Sequence, residues 1–156
     1  MGKHFRLTDE SKSLDDGTIV YRIQAARDGW HFNEGDLGGF VENIDNLNGD
    51  AWVADEAVVW GGARVYGKAA VCDSARVYGN ALVYGDALVY SKAWVCDNAR
   101  VYGNAVVYGE ARVLGDARIY GNSRVHGKAW VYGDALVYGG ALIGGDSDVC
   151  GNSRIS

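Results

Sequence analysis

The chain has 156 residues and a formal net charge of −5, which fits a single domain large enough to bury a core. It contains 23 Gly and no Pro, and it shows neither an apolar run of membrane-spanning length nor a signal-peptide pattern, so we expect a cytoplasmic protein outside any membrane. Residues 1–50 carry five Lys and Arg against ten Asp and Glu, whereas residues 51–156 carry ten of each, and this neutral second part argues against a nucleic-acid partner.

The first predicted element is a β-hairpin. Apolar and polar residues alternate over residues 5–8 and 18–26, and the turn-forming segment Asp15-Asp16-Gly17 lies between the two runs. A loop through Trp30 and Phe32 follows. We assign residues 1–38 to this hairpin and loop, and we expect them to cap the open edge of a repeat domain formed by residues 39–156.

A six-residue unit, close to Ala-x-Val-Tyr-Gly-Asn, repeats from Ala51 to the last residue without insertion or deletion. Its first position is Ala in fifteen of eighteen units and Ser in the others, and its third position is always Val or Ile. In an extended chain these two positions point to one side, and the Gly-Asn or Gly-Asp pair that follows is a turn signal. The units therefore predict short strands with corners, which wind into a parallel β-solenoid around the Ala and Val columns.

The small and aliphatic positions, such as Val65 with Ala69, resemble those of the hexapeptide-repeat left-handed parallel β-helix. This resemblance implies an all-β, triangular solenoid with three units in each 18-residue coil and about six coils. The same phase extends upstream to Val41 and Leu47. The left-handed winding is taken from the family alone, because the general rule for parallel strands is a right-handed crossover.

The segments ahead of the repeats carry a second resemblance. The strings F-R-L-T-D-E, Y-R-I-Q-A and G-D-L-G-G-F-V-E are similar to those of small phage, prophage and bacterial proteins labelled hexapeptide-repeat or transferase-like, which have no settled activity. This resemblance covers nearly the whole chain. It implies a location in the host cytoplasm if the protein is phage-encoded, and a role in binding and blocking a bacterial defence protein.

Taking every third unit sorts the outward residues into columns that are one strand spacing apart. One column, the tyrosine ladder, consists of Tyr66, Tyr84, Tyr102, Tyr120 and Tyr138, and beside it stand Arg64, Arg100 and Arg118. Aromatic rings flanked by arginine can stack on bases, sugars or a partner protein, or they can serve only to stabilise the solenoid. These eight residues are the candidate binding site.

A second pair of columns forms the most apolar surface, which we call the apolar face. It consists of Trp52, Ala70, Leu88, Val106, Arg124 and Leu142 beside Ala54, Cys72, Tyr90, Tyr108, His126 and Gly144. A long apolar patch usually marks an interface. The sequence also stops inside a unit, at Ile155-Ser156, so that the strand edges of the last coil are unpaired. We therefore expect a homo-oligomer, formed either by tail-to-tail pairing of the last coils or by side-by-side packing of faces. The candidate interface residues are Trp52, Leu88, Tyr90, Val106, Tyr108, Leu142 and Ile155.

The third outward surface alternates cation and indole. Its column is Arg76, Trp94, Arg112 and Trp130, the spacing at which cation–π contacts form between successive coils. We expect these contacts to stabilise the fold.

Catalysis is the alternative to recognition. The resemblance includes acyl-CoA-dependent acyltransferases with a coil histidine as general base, and His126 alone lies in the repeats, at a position where Tyr is usual. His126 is therefore either that base or a replaced tyrosine, and a shift of the melting temperature by acetyl-CoA separates the two. Three convergent histidines for zinc are missing from the repeats, and the stacked Asp55, Asp73 and Ser91 are explained by turn geometry, so we expect neither metal nor cofactor.

These patterns favour a non-catalytic scaffold that acts through protein–protein recognition or self-assembly. The acidic hairpin residues Asp9, Glu10, Asp15 and Asp16 are expected to contact a basic partner protein, while the solenoid sets the reach.

Overall fold

The computed structural model describes residues 3–156. A hairpin of β1 (Phe5–Ser13) and β2 (Ile19–Ala25) is followed by β3 (Leu37–Val41) and a short 3-10 helix (Ile44–Asn46). Eighteen two-residue strands then occupy the repeats: β4 (Trp52–Val53), β5 (Val58–Val59), β6 (Arg64–Val65), β7 (Ala70–Val71), β8 (Arg76–Val77), β9 (Leu82–Val83), β10 (Leu88–Val89), β11 (Trp94–Val95), β12 (Arg100–Val101), β13 (Val106–Val107), β14 (Arg112–Val113), β15 (Arg118–Ile119), β16 (Arg124–Val125), β17 (Trp130–Val131), β18 (Leu136–Val137), β19 (Leu142–Ile143), β20 (Asp148–Val149) and β21 (Arg154–Ile155). Within residues 3–156 no helix has the length and hydropathy needed to cross a bilayer.

Repeat strands pair in parallel with strands eighteen residues away along the chain, as Val89 does with Val71 of the coil before and Val107 of the coil after. Three sheets result, and together they form the sides of a triangular stack. Sheet 1 runs β1-β2-β3-β5-β8-β11-β14-β17-β20, sheet 2 runs β6-β9-β12-β15-β18-β21, and sheet 3 runs β4-β7-β10-β13-β16-β19. The predicted all-β parallel solenoid of about six coils is confirmed, and its left-handed winding stays a prediction.

The interior is built from the Ala and Val columns. Ala105 and Val107, like nearly all residues at their positions, have no exposed surface. Successive coils are joined by backbone hydrogen bonds, such as Tyr108 N–H to the Val125 carbonyl at 2.9 Å. Ser123 takes the place of Ala in this core, and its hydroxyl donates to the Tyr120 carbonyl at 2.7 Å, so the polar atom is satisfied. The predicted inside and outside positions of the repeat are therefore confirmed.

The corners explain the glycine column. Gly85 has a φ of 70°, and a Cβ there would lie 3.0 Å from the Gly103 nitrogen of the next coil, so the corner has little room for a side chain. Asp55, Asp73 and Ser91 adopt the same left-handed conformation, with φ of 57°, 58° and 60°. The Asp55 carboxylate accepts a hydrogen bond from the Asp73 N–H at 3.2 Å, and Asp73 accepts from the Ser91 N–H at 3.0 Å. Turn geometry thus accounts for this polar strip.

The N-terminal hairpin joins the solenoid through sheet 1. β1 and β2 are antiparallel with a bulge between Leu7 and Ser11, and β2 pairs antiparallel with β3, so the edge of the first coil is covered. Phe5, Ile23 and Phe32 belong to the same buried cluster as the first Ala and Val residues. The core is therefore continuous across residue 38, where the sequence places a boundary.

Candidate functional site

The tyrosine ladder is assembled as the sequence predicts. Its rings follow the strands of sheet 2, with centroid separations of 4.8, 4.9, 5.1 and 5.4 Å and interplanar angles of 2°, 1°, 5° and 12°. The rings are thus nearly parallel to one another. Each inner ring has both faces covered by its neighbours, and only Tyr66 and Tyr138 have a ring face without a tyrosine on it. The ladder presents ring edges and hydroxyls to a ligand, so that base or sugar stacking is confined to its two ends.

The hydroxyls of the inner ladder residues Tyr84 and Tyr102 are protonated at neutral pH. Burial raises the pKa of Tyr84 and Tyr102 above its ordinary value, and a charge on a neighbouring phenol raises it further. These groups can therefore donate and accept hydrogen bonds along the ladder's outer edge, whereas they supply no negative charge.

The arginines beside the ladder are exposed on sheet 2. Arg100 and Arg118 are register neighbours, whereas Leu82 separates Arg64 from Arg100. A shallow hollow of about 350 Å³ lies over this part of the sheet, lined by Asn80, Leu82, Asn98, Arg100, Asp116 and Arg118. The structure thus brings two of the three predicted arginines together, whereas Arg64 lies two coils before Arg100, with the coil of Leu82 between them.

The column of alternating cations and indoles forms the predicted cation–π contacts on sheet 1. The guanidinium of Arg112 lies 4.6 Å from the ring centroid of Trp94 and 5.0 Å from that of Trp130, and that of Arg76 lies 5.5 Å from Trp94. Both arginines of this column therefore lie over indole rings, whereas Trp130 at its end stays 40% exposed.

His126 belongs to an aromatic stack on sheet 3. Tyr90 and Tyr108 are stacked at 5.1 Å, and the His126 ring continues the stack at 5.2 Å from Tyr108 with an interplanar angle of 16°. On its other side the ring lies close over Gly144. This position matches that of the tyrosines it follows, which supports the interpretation of His126 as a replaced tyrosine.

Only part of the apolar face is exposed for contact with a partner. Trp52 is 3% exposed, because it is stacked on Phe32 of the N-terminal loop at 4.4 Å. The expectation that Trp52 is an external contact residue is therefore wrong. Ile155 lies at an inward position of sheet 2 rather than on this face. The remaining members Leu88 and Val106 are half-buried, and Leu142 is 65% exposed.

The hairpin carries charges that are already partly paired. Arg22 donates to Glu10 at 2.7 Å and to Glu56 at 3.1 Å, and these hydrogen bonds raise the pKa of its guanidinium, while that of Glu56 is lowered. The Asp16 carboxylate accepts the Thr18 N–H at 2.9 Å, which lowers the pKa of Asp16. All four acidic residues predicted to meet a partner are exposed, and Glu10 and Asp16 are the two that accept these hydrogen bonds.

Three residues that join neighbouring parts of the fold through hydrogen bonds were not among the sequence predictions. His4 is buried, and its Nε2–H donates to the Ala51 carbonyl at 2.8 Å, which ties the hairpin to the first coil. Asn46 is buried and donates to the Ala63 carbonyl at 2.9 Å. Asp97 adopts a φ of 57° and accepts the Gly115 N–H at 3.0 Å. Asp97 could have been found, because it replaces the corner glycine, but no repeat signal points to His4 or Asn46.

The thiols of Cys72 and Cys96 are held in their protonated form. Burial raises the pKa of Cys72 to about 11 and also raises that of Cys96. Burial, together with the neighbouring Cys96 thiol, raises the pKa of Tyr78 to about 12. These groups are accordingly poor nucleophiles at neutral pH. Among residues 3–156, no group of three His, Cys, Asp or Glu side chains is placed to hold a metal ion.

The central coils are similar to a known repeat. Residues 75–91, 93–109, 111–127 and 129–145 match the family model described as YdcK Beta solenoid repeat. The four matches begin eighteen residues apart, and each therefore corresponds to one coil of the structure. No curated protein matches the chain.

Proposed function

We propose that this repeat β-solenoid is a non-catalytic recognition module that works through the apolar face. The observation that carries the proposal is a contrast between the surfaces of the coils. The tyrosine rings of the ladder stack on one another, and the guanidinium groups of Arg76 and Arg112 lie over indole rings of their own column. Leu142, in contrast, exposes 65% of its surface in line with the half-buried Leu88 and Val106. Apolar side chains that are partly or largely accessible along one face are typical of a contact surface.

The partner that fits this face is a second copy of the chain. A twofold axis parallel to the strands, midway between β10 and β13, would place two apolar faces together with their long axes antiparallel. Leu88 of one copy then lies opposite Val106 of the other, and the large Arg124 lies opposite the small Ala70. A surface that is complementary to itself about a twofold axis is what a symmetric dimer requires.

The charges at the edge of the face fit the same arrangement. Lys92 and Glu110 are exposed at the turns that follow β10 and β13, so the twofold axis brings Lys92 of each copy opposite Glu110 of the other. Two equivalent ion pairs would then border the apolar contact. Residues 51–156 carry equal numbers of acidic and basic side chains, so the solenoids do not repel one another through net charge.

Light scattering and sedimentation test this dimer. The wild-type chain is expected to approach twice its 16.7 kDa mass as its concentration rises through the micromolar range. Val106→Glu is expected to keep the chain monomeric, because it buries a charge in the contact. Leu82→Glu is the matched control: it changes a half-buried position of sheet 2 between Arg64 and Arg100 and should leave the dimer intact.

A charge exchange tests the antiparallel geometry. Lys92→Glu and Glu110→Lys are each expected to weaken the dimer, since each places like charges across the axis, and the double variant is expected to restore it. A wild-type chain that is monomeric at every concentration, or a Val106→Glu variant that dimerises as tightly as the wild type, would overturn the proposal.

The exposed acidic residues of the hairpin support a second contact, with a basic protein. Asp9 and Asp15 lie at the solvent-facing part of the hairpin, and the acidic excess of the chain is confined to residues 1–50. The resemblance to phage proteins makes a host protein, such as a defence factor, the partner to search for. Capture of a basic protein from bacterial lysate should be lost with Asp9→Lys/Asp15→Lys and kept with Val106→Glu. Capture that survives the charge reversal contradicts this contact.

A further inference from the structure

The column on sheet 1 contains a complete cation-binding arrangement. Arg112 lies between two indole rings, 4.6 Å from the centroid of Trp94 and 5.0 Å from that of Trp130. These residues are direct register neighbours on β11, β14 and β17, so the arrangement follows from the spacing of the coils. In this column an indole face receives a guanidinium from the coil before it or the coil after it.

The alternation stops after Trp130. The register neighbour of Trp130 on the next coil is Asp148, an acid where the pattern would place a cation. Trp130 is 40% exposed. It borders a hollow of about 650 Å³ lined by Leu114, Lys128, Trp130, Tyr132, Asp146 and Asp148. The indole therefore has Arg112 beside it on the preceding coil, and it also borders an open space whose lining includes two carboxylates of the following coil.

We infer that this hollow binds a guanidinium cation, stacked on Trp130 opposite Arg112 and paired with the carboxylates of Asp148 and Asp146. The planar guanidinium matches the site better than an ammonium does, because it stacks on an aromatic face and offers two parallel N–H groups to a carboxylate. Tyr132 and Leu114 provide an apolar edge for the alkyl chain that carries the cation. The bound guanidinium therefore continues the alternation of cations and indoles in this column with a group from outside the chain.

The local charge supports a cation. Asp146 and Asp148 contribute two negative charges to the lining and Lys128 one positive charge. Lys128 is the internal competitor for the carboxylates, so its removal should tighten binding. The site lies on sheet 1, away from the apolar face on sheet 3, and its occupancy is independent of the proposed dimer.

Nuclear magnetic resonance of the five tryptophan indole N–H groups provides the test. The Trp130 signal is assigned as the one missing from Trp130→Phe, and the chain is titrated with N-acetyl-arginine methylamide or N-acetyl-lysine methylamide at constant ionic strength. The arginine compound is expected to shift the Trp130 signal saturably, at millimolar concentration, and the lysine compound several-fold more weakly. Trp94, which is already in contact with two arginines, should not respond.

Variants separate binding from a general salt effect. Asp148→Asn should weaken binding several-fold and Lys128→Ala should strengthen it, whereas Asp134→Asn, an equal charge change outside the hollow, should have no effect. Asp148→Arg should abolish binding and raise the melting temperature, because the guanidinium of the new side chain stacks on Trp130 in place of the ligand. Unchanged binding by Asp148→Asn, or a Trp130 shift that sodium chloride reproduces, overturns the inference.

Two further ligands distinguish the source of the cation. A capped Gly-Arg-Gly peptide represents an arginine presented by a polypeptide, and agmatine represents a free small molecule. Tighter binding of the peptide assigns the site to a protein partner, and tighter binding of agmatine assigns it to a metabolite. Failure of both to shift the Trp130 signal contradicts the site itself.

Discussion

Individual corner residues show how a strict repeat accepts exceptions. The corner requires a positive φ and leaves little room beside the next coil, both of which favour glycine. Asp97 is accepted at a φ of 57° because its carboxylate receives the Gly115 N–H of the coil that follows. A positive φ is unfavourable for a residue with a side chain, and the hydrogen bond made by the Asp97 carboxylate offsets this cost.

Substitution of Asp97 separates these two effects. Asp97→Ala should lower the free energy of unfolding by about 1–2 kcal/mol, since alanine keeps the unfavourable φ and loses the acceptor. Asp97→Gly should stay within about 1 kcal/mol of the wild type, because it loses the acceptor and gains conformational freedom. Urea denaturation measures both, and equal destabilisation by the two variants would contradict the explanation.

At the level of elements, the hairpin depends on a buried histidine. His4 lies between the hairpin and the first coil, near Phe5 and Phe32 at centroid distances of 5.1 and 5.4 Å, and it donates to the Ala51 carbonyl. Burial lowers the pKa of His4 below its ordinary value of 6.5, because the charged ring would lose its hydration. The folded chain therefore holds His4 neutral.

This histidine makes the stability of the hairpin dependent on pH. The unfolded chain binds a proton to His4 near pH 6.5 and the folded chain only at lower pH, so stability is full above 6.5 and decreases as the pH falls below it. The melting temperature should fall by a few degrees between pH 7.5 and pH 5.5. His4→Gln keeps an N–H donor without titrating and should remove most of that slope, whereas the exposed His31→Gln should retain it. Identical slopes in the wild type and His4→Gln would exclude His4 as the cause.

The elements also show what a repeat pattern can and cannot predict. The inward Ala105 and Val107 and the tyrosine ladder could be predicted because period two within a unit and period eighteen between coils fix which side chains meet. The burial of Trp52 could not, since it depends on Phe32, a residue from a loop with no repeat. The repeat pattern also could not predict that the tyrosine rings cover one another's faces, because ring orientation depends on side-chain rotamers and not on spacing.

The whole molecule is a stack in which each coil pairs with the coil before it and the coil after it. β10, for example, pairs with β7 and β13. Stability in such a stack is approximately a sum of coil contributions and nearest-neighbour contacts. The number of coils is therefore less important to folding than the unbroken six-residue spacing that keeps every Ala and Val at an inward position.

Deletion of one coil tests this additivity. Removal of residues 93–110 takes out one full turn, and the remaining chain should fold with β-rich circular dichroism and a lower melting temperature. Removal of residues 93–109, shorter by one residue, shifts every later Ala and Val out of the interior and should prevent folding of the C-terminal coils. A folded shorter deletion would mean that the phase of the units does not determine the packing.

The covered Trp52 has a consequence for how the chain finds its structure. Interior sites from one coil to the next are almost interchangeable, so a slip by one whole turn would leave nearly every alanine and valine in an equivalent environment. The stack of Phe32 on Trp52 and the hydrogen bond from Asn46 to the Ala63 carbonyl do not recur along the solenoid. These contacts fix the register of the solenoid. They attach one particular coil to the hairpin, and the position of every later coil follows from that attachment.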